Sequence, residues 1–147
     1  MIRKIVSLAF IASVVLVACK KSGSSSNDSS AIQGKWNLTR NVSSIYVNGA
    51  LVDSGHTDVS SLDYIYFYAN GSVISYENDN NSNNQAISDT ASYKILNNQF
   101  LVINAPSEID TLKIQTLTSN SLILTDSYTE SNGGITSITY DTVQYTK

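Results

Sequence analysis

Between Trp36 and Tyr145, short runs rich in Ile, Val, Thr and Tyr are broken at regular intervals by Asn, Gly, Ser and Asp. This rhythm constrains the fold more than any other feature, because such runs suit pleated strands and such breaks suit tight turns. No apolar stripe at i, i+3, i+4 continues beyond two turns, and Pro106 is the single proline. The expected class is therefore all-β. Three hairpins are legible. Tyr64–Tyr68 and Ser72–Tyr76 flank Asn70-Gly71, Tyr93–Leu96 and Phe100–Ile103 flank Asn97-Asn98, and Leu112–Leu117 and Leu122–Thr125 flank Ser119-Asn120.

A two-residue loop fixes which residues oppose each other. Around Asn70-Gly71, Phe67 then opposes Ile74 and Ile65 opposes Tyr76. That places Ile65, Phe67, Ile74 and Tyr76 on one apolar face, and Tyr64, Tyr66 and Tyr68 on the other as an aromatic ridge. Around Asn97-Asn98, Ile95 opposes Phe100 and Tyr93 opposes Val102. In the third hairpin Ile114 and Leu117 differ in parity, and a β-bulge near Gln115-Thr116 reconciles them. Further strands are expected at Trp36–Val42 and Ile45–Val47, with Asn48-Gly49 as a turn, and at Ile135–Tyr145, whose inward parity switches from Ile138/Tyr140 to Val143/Tyr145. Asp53–Ser61 and Asn78–Gln85 read as polar loops. Eight or nine strands in consecutive hairpins suggest an antiparallel up-and-down meander that closes into a barrel of about eight strands; a two-sheet sandwich is the alternative.

The N-terminus has a different character. Arg3 and Lys4 precede Ile5–Ala18, which is apolar apart from two serines, and Leu16-Val17-Ala18-Cys19 follows the pattern of a small-residue cleavage site. The run is too short for a transmembrane helix, which needs about 20 apolar residues. The four residues resemble the lipobox of bacterial lipoproteins. The resemblance implies cleavage before Cys19, lipidation of its thiol and acylation of the new amino terminus. Cys19 is the only cysteine, so it has no disulfide partner within the chain. The expected organisation is a lipoprotein signal peptide over 1–18, the lipidated Cys19 with a flexible Ser/Gly tether over 19–31, and one domain over 32–147. As a coil, the tether spans roughly 17–21 Å. Localisation in the cell envelope follows, with the outer membrane as the expected site of lipid anchoring.

Charge narrows the partners. The formal net charge is −3, and cleavage that removes Arg3 and Lys4 makes it −5. An acidic domain with scattered basic residues does not suit nucleic acid, and it is repelled by anionic head groups, so the lipid on Cys19 must hold the membrane.

Gly34-Lys35-Trp36 is similar to the Gly-x-Trp that opens the first strand of lipocalins, where the Trp closes the barrel floor. Ile65-x-Phe67 with Asn70-Gly71-Ser72-Val73, Tyr93-x-Ile95 with Phe100-x-Val102, and Ile114-x-x-Leu117 with Leu122-x-Leu124 resemble successive hairpins of bacterial lipocalin-like domains. The resemblance runs from Ile32 to Lys147. It implies a lipocalin-like barrel that holds a small ligand. Where the family carries an Arg that stacks on the Trp, the last strand here offers Lys147.

Catalytic chemistry finds little support. His56, the only histidine, sits in a polar segment with Asp53 and Asp58, a weak basis for a metal site or a Ser/His/Asp triad. Glu77, Glu108 and Glu130 fall at strand ends or loops, where solvated charge is the ordinary reading. No catalytic residue, metal or cofactor is expected. The expected function is non-catalytic binding of a small apolar or amphipathic ligand. Phe67, Tyr76 and Tyr93 are the candidate contacts, since a phenol can hydrogen-bond a polar head while its ring packs on a chain. The alternative is a structural lipoprotein with a filled barrel that docks to another envelope protein.

Overall fold

The computed structural model describes residues 30–78 and 86–147. The expected signal peptide, Cys19 and nearly all of the tether lie outside these residues, as does the polar stretch after Asn78. Within them the chain forms nine strands. They are β1 (Gly34–Val47), β2 (Ala50–Thr57), β3 (Tyr64–Phe67), β4 (Ser72–Asn78), β5 (Ala86–Leu96), β6 (Phe100–Asn104), β7 (Ile109–Leu117), β8 (Ser121–Asn132) and β9 (Ile135–Thr146).

Every pairing is antiparallel, and from β3 to β9 each strand pairs with the next in sequence. β1 closes the circle. Gly34–Asn37 pair with β3 along one edge, and Asn37–Val47 pair with β9 along the other. The result is a closed barrel of eight strands with β2 outside it, paired only to the upper half of β1. One strand reaches so many neighbours because Trp36–Val42 and Ile45–Val47, expected as separate strands, form a single run of 14 residues. A register shift at Thr39, whose Oγ1 donates to the Gln144 carbonyl at 2.9 Å, lets that run bend around the closure.

The loops at Asn70-Gly71 and Asn97-Asn98 correct the expected faces. Each is three residues long, not two. Tyr68 N–H donates to the Ser72 carbonyl and Gly71 N–H to the Tyr68 carbonyl, with Gly71 at φ 84°. Asn70 Oδ1 caps the turn by accepting from Ser72 N–H at 3.0 Å. Phe67 therefore pairs with Val73 and Tyr64 with Tyr76. Ile74 and Tyr76 move to the outer face, and Val73 and Ser75 move inside. At the second loop Leu96 pairs with Phe100, so Ile95 opposes Leu101 and Tyr93 opposes Ile103. Phe100 and Val102 thus take the outer register.

Two more expectations are corrected. Asp53–Thr57 belongs to strand β2 and is not a loop. β9 shows no parity switch: its register with β8 is unbroken from Ser121↔Thr146 to Asn132↔Ile135, so Thr139 and Asp141 point inward and Ile138 and Tyr140 outward. Three other readings of the strands hold. A bulge falls at Gln115, between Ile114 and Thr116. Asn48 and Gly49 both take positive φ at the β1–β2 turn. Tyr64, Tyr66 and Tyr68 share the outer face.

The core occupies the lower half of the barrel. Ile32, Trp36, Phe67, Leu101 and Leu122 are fully buried, and Ile65, Val73, Tyr93, Ile95 and Leu124 pack with them.

Candidate functional site

The floor is built around Trp36. Its indole N–H donates to the Ile32 carbonyl at 2.6 Å, which pins the entering segment beneath the ring. Lys147 closes the other side, with its ammonium 4.6 Å from the indole centroid. A cation over the electron-rich face of an indole is attracted by the ring quadrupole. Lys147 thus stands over Trp36, where the family resemblance placed an Arg.

Phe67 and Tyr93 belong to this floor. Phe67 is fully buried and meets Tyr93 edge to face, with centroids 4.9 Å apart. The Tyr93 hydroxyl donates to the Tyr68 carbonyl at 3.0 Å, so its polar end is already engaged. Burial pushes the Tyr93 phenol up, and a hydrogen bond with the Gln33 side chain opposes that shift. Tyr76 lies outside the barrel, stacked on Tyr64 with centroids 5.0 Å apart and planes within 8°. The structure therefore does not bring Phe67, Tyr76 and Tyr93 together at one opening.

An opening does exist above the floor. A cup of about 170 Å³ is lined by Ile65, Val73, Ser75, Ala91, Ile103, Ala105, Glu108 and Asp110. Its origin is plain in the sequence of the inner register. Ser75 and Ala91 are small residues at positions where Leu or Phe would fill the lumen. β6 ends at Asn104, and the Ala105–Glu108 turn, closed by Ala105 N–H donating to the Glu108 carbonyl at 3.0 Å, leaves another small residue at the rim. Asp110 faces inward because its partner across β6 and β7 is the inward Ile103. The walls are aliphatic below and carry a hydroxyl and two carboxylates above. This arrangement accepts one apolar end of a small molecule and leaves its polar end among oxygen acceptors.

A narrow cleft of about 40 Å³ beside it runs between Leu38, Ser75, Tyr76, Glu77 and Tyr145. Burial, with the negative charge of Glu77 adding to it, pushes the Tyr145 phenol up to about 12. A further depression, of about 250 Å³, lies on the wall of β5–β7 and is lined by Ser92, Tyr93, Lys94, Val102, Asn104 and Ile109. All of these except Tyr93 fall in the outer register, so the depression is separate from the lumen. Among the described residues, no group of three His, Cys, Asp or Glu is placed to hold a metal ion. His56 Nε2 lies 4.0 Å from Asp58 Oδ1, with both side chains largely exposed.

Sequence reasoning missed Ser75, Ala91, Ala105, Glu108 and Asp110. The signal was small or acidic residues at inward and rim positions of separate strands, visible only once the register is known.

No curated protein matches the sequence. Among solved structures, the bovine lipocalin allergen Bos d 2 is similar at 13% identity, covering 79% of this chain and 73% of its own, with a TM-score of 0.39. Residues 32–124 match the family model of the lipocalin-like domain, and the chain belongs to that family.

Proposed function

We propose that this is a membrane-anchored lipocalin-like lipoprotein that binds one end of a small amphipathic molecule without turning it over. The cup above the floor carries this reading: Ile65, Val73, Ala91 and Ile103 form its walls, and Ser75 and Asp110 crown it. A cavity of about 150 Å³ is enough to hold a benzene-sized group. A ligand of this kind places a ring or short chain in the cup and its head group at the rim. Support for binding without turnover comes from the walls, which are aliphatic apart from Ser75 and the rim acids, and from the single histidine, which lies on β2. The anchor rests on Leu16-Val17-Ala18-Cys19, and the cell envelope is the location that it implies.

The test fills the cup. Small aromatic and alkyl probes are titrated against the protein and against Ala91→Phe. Binding that disappears in a folded Ala91→Phe supports the reading. Equal binding by both proteins places the ligand elsewhere. The alternative, docking to another envelope protein, is favoured by β2, an outer edge unpaired among the described residues, on which Leu51 and Val52 are 56% and 58% exposed. Failure of every probe to bind, together with capture of an envelope protein that Leu51→Asp abolishes, selects that alternative.

A further inference from the structure

The strands segregate charge by face. Buried residues mark the inner register on each strand: Val73 on β4, Leu101 on β6 with its partner Leu112 on β7, and Leu124 on β8 with its partner Val143 on β9. Counting by twos from these residues puts Glu77, Asp110, Asp126, Glu130 and Asp141 in the inner register. Asp53 on β2 joins them, opposite the inward Ile45. The bases do the opposite. Lys35 pairs with Tyr66 and lies 4.2 Å over the Tyr64 ring on the outer face. Arg40 pairs with Gln144, Lys94 with Val102 and Lys113 with Phe100, all in the outer register. Lys147 is held at the floor by Trp36.

Among the described residues no basic side chain pairs with an inner acid. The one ion pair among the described residues is His56–Asp58, away from the lumen. Asp126 and Asp141 oppose each other directly across β8 and β9, an arrangement of like charges that destabilises a sheet. Water at the exposed Asp126 and the Ser127 N–H, which donates to Asp126 Oδ1 at 2.7 Å, offset part of this repulsion, and a positively charged ligand would offset more.

We propose that the cup selects an organic cation, a primary ammonium carried on a short aromatic or aliphatic body, over the neutral and anionic molecules of the same shape. The inference rests on the reading of the cup as a ligand site and adds the charge of the ligand. The body fills the space between Ile65, Val73, Ala91 and Ile103, and the ammonium sits at the level of Asp110 and Glu108. Three donors on an ammonium match a rim that offers carboxylate and hydroxyl acceptors. The spread of the acids over several strands, with no three of them gathered at one point, suits a diffuse organic cation better than a metal ion. A fatty-acid carboxylate meets the same acids as a repulsion.

Three probes of similar size test this: benzylammonium, benzyl alcohol and benzoate. Each is titrated into the full-length protein in a non-ionic detergent, and binding is followed through the backbone amide shifts of Ala91, Ile103 and Ala105. Benzylammonium should bind about tenfold or more tightly than benzoate at low ionic strength, with the alcohol between them. The gap should shrink at 1 M salt, where the Debye length falls to about 3 Å. Asp110→Asn, and separately the exposed turn variant Glu108→Gln, should narrow the gap severalfold, whereas Lys94→Gln on the outer wall should leave it unchanged. Equal binding of all three probes, or a gap that survives both acid-to-amide changes, overturns the charge selection while leaving the cup as the site. Absence of shifts with all three probes, the alcohol included, overturns the cup reading itself and the charge selection with it.

Discussion

Replacing Trp36 by alanine tests the barrel floor most directly. The side chain is fully buried, and an indole of this kind hides about 200 Å². At about 25 cal/mol per Å² the lost transfer energy alone is about 5 kcal/mol, and truncations of buried aromatics cost about 3–5 kcal/mol after partial relaxation. Two specific interactions go with the ring. The Ile32 carbonyl loses its donor at 2.6 Å, and an unsatisfied buried acceptor costs about 1–3 kcal/mol. Lys147 loses the indole face, an interaction worth about 0.5–2 kcal/mol. These effects overlap, so the expected loss is about 3–5 kcal/mol in total, a large share of the ~5–15 kcal/mol that holds a domain together.

Urea unfolding followed by far-UV circular dichroism measures this loss, since the variant has no tryptophan fluorescence to follow. With a slope of about 1–3 kcal/mol/M, the midpoint should fall by roughly 2 M. Trp36→Phe separates the contributions: it keeps most of the buried ring and removes the N–H donor, so it should cost about 1–3 kcal/mol. Lys147→Met should cost no more than about 1–2 kcal/mol. A loss below about 1 kcal/mol for Trp36→Ala would refute the reasoning, because no residue that closes a floor can be removed so cheaply.

The remaining expectations concern pH, backbone and anchor. The Tyr145 phenol is pushed up to about 12, against about 10 in an unfolded chain, so the folded state holds its proton longer. Its contribution is complete below pH 10 and is lost as pH rises from 10 to 12, by about 2–3 kcal/mol; urea midpoints at pH 9 and 11.5 should show this alkaline loss in the native protein and a smaller one in Tyr145→Phe. Gly71→Ala should lower the thermal midpoint at a cost of about 1–2 kcal/mol, because φ is +84° there although a Cβ would meet only the Tyr93 carbonyl at an ordinary 3.8 Å. Gly55→Ala, with open space around it, should be close to neutral. Cys19→Ser should abolish labelling by a palmitate analogue and release the protein from the membrane fraction; a variant that still pellets with membranes would contradict the anchor.

The barrel was legible because its evidence is redundant. Each run of Ile, Val and Tyr, each Asn-Gly or Asn-Asn break and the Gly34-Lys35-Trp36 opening point to the same meander. The third hairpin was readable in detail for a local reason. Polar Lys113 and Thr116 flank the apolar residues of β7, so only a bulge could bring both Ile114 and Leu117 inside, and Gln115 supplies it. β2 was not legible as a strand, because it buries nothing: all eight of its residues are exposed, and the pairing with β1 alone defines it. Backbone hydrogen bonds leave no periodic apolar trace in a sequence.

The candidate site was hidden by a different effect. Asn70-Gly71 announces a turn without stating its length, since a left-handed Gly can close a three-residue loop as readily as a two-residue one. The choice moves every side chain of β4 across the sheet. Val73 and Ile74 are both apolar and cannot decide it, so the comparison falls to Ser75 against Tyr76, and hydrophobicity favours Tyr76 inside. The structure takes the other register and puts Ser75 within. That preference for small and polar residues at the inner rim leaves the lumen open and carries Glu77 inward beside Tyr145. A core-filling rule therefore fails at the one place where the barrel stops being a core. The same register that empties the cup also charges it, which is why the space and the sign of its ligand are tested by the same set of probes.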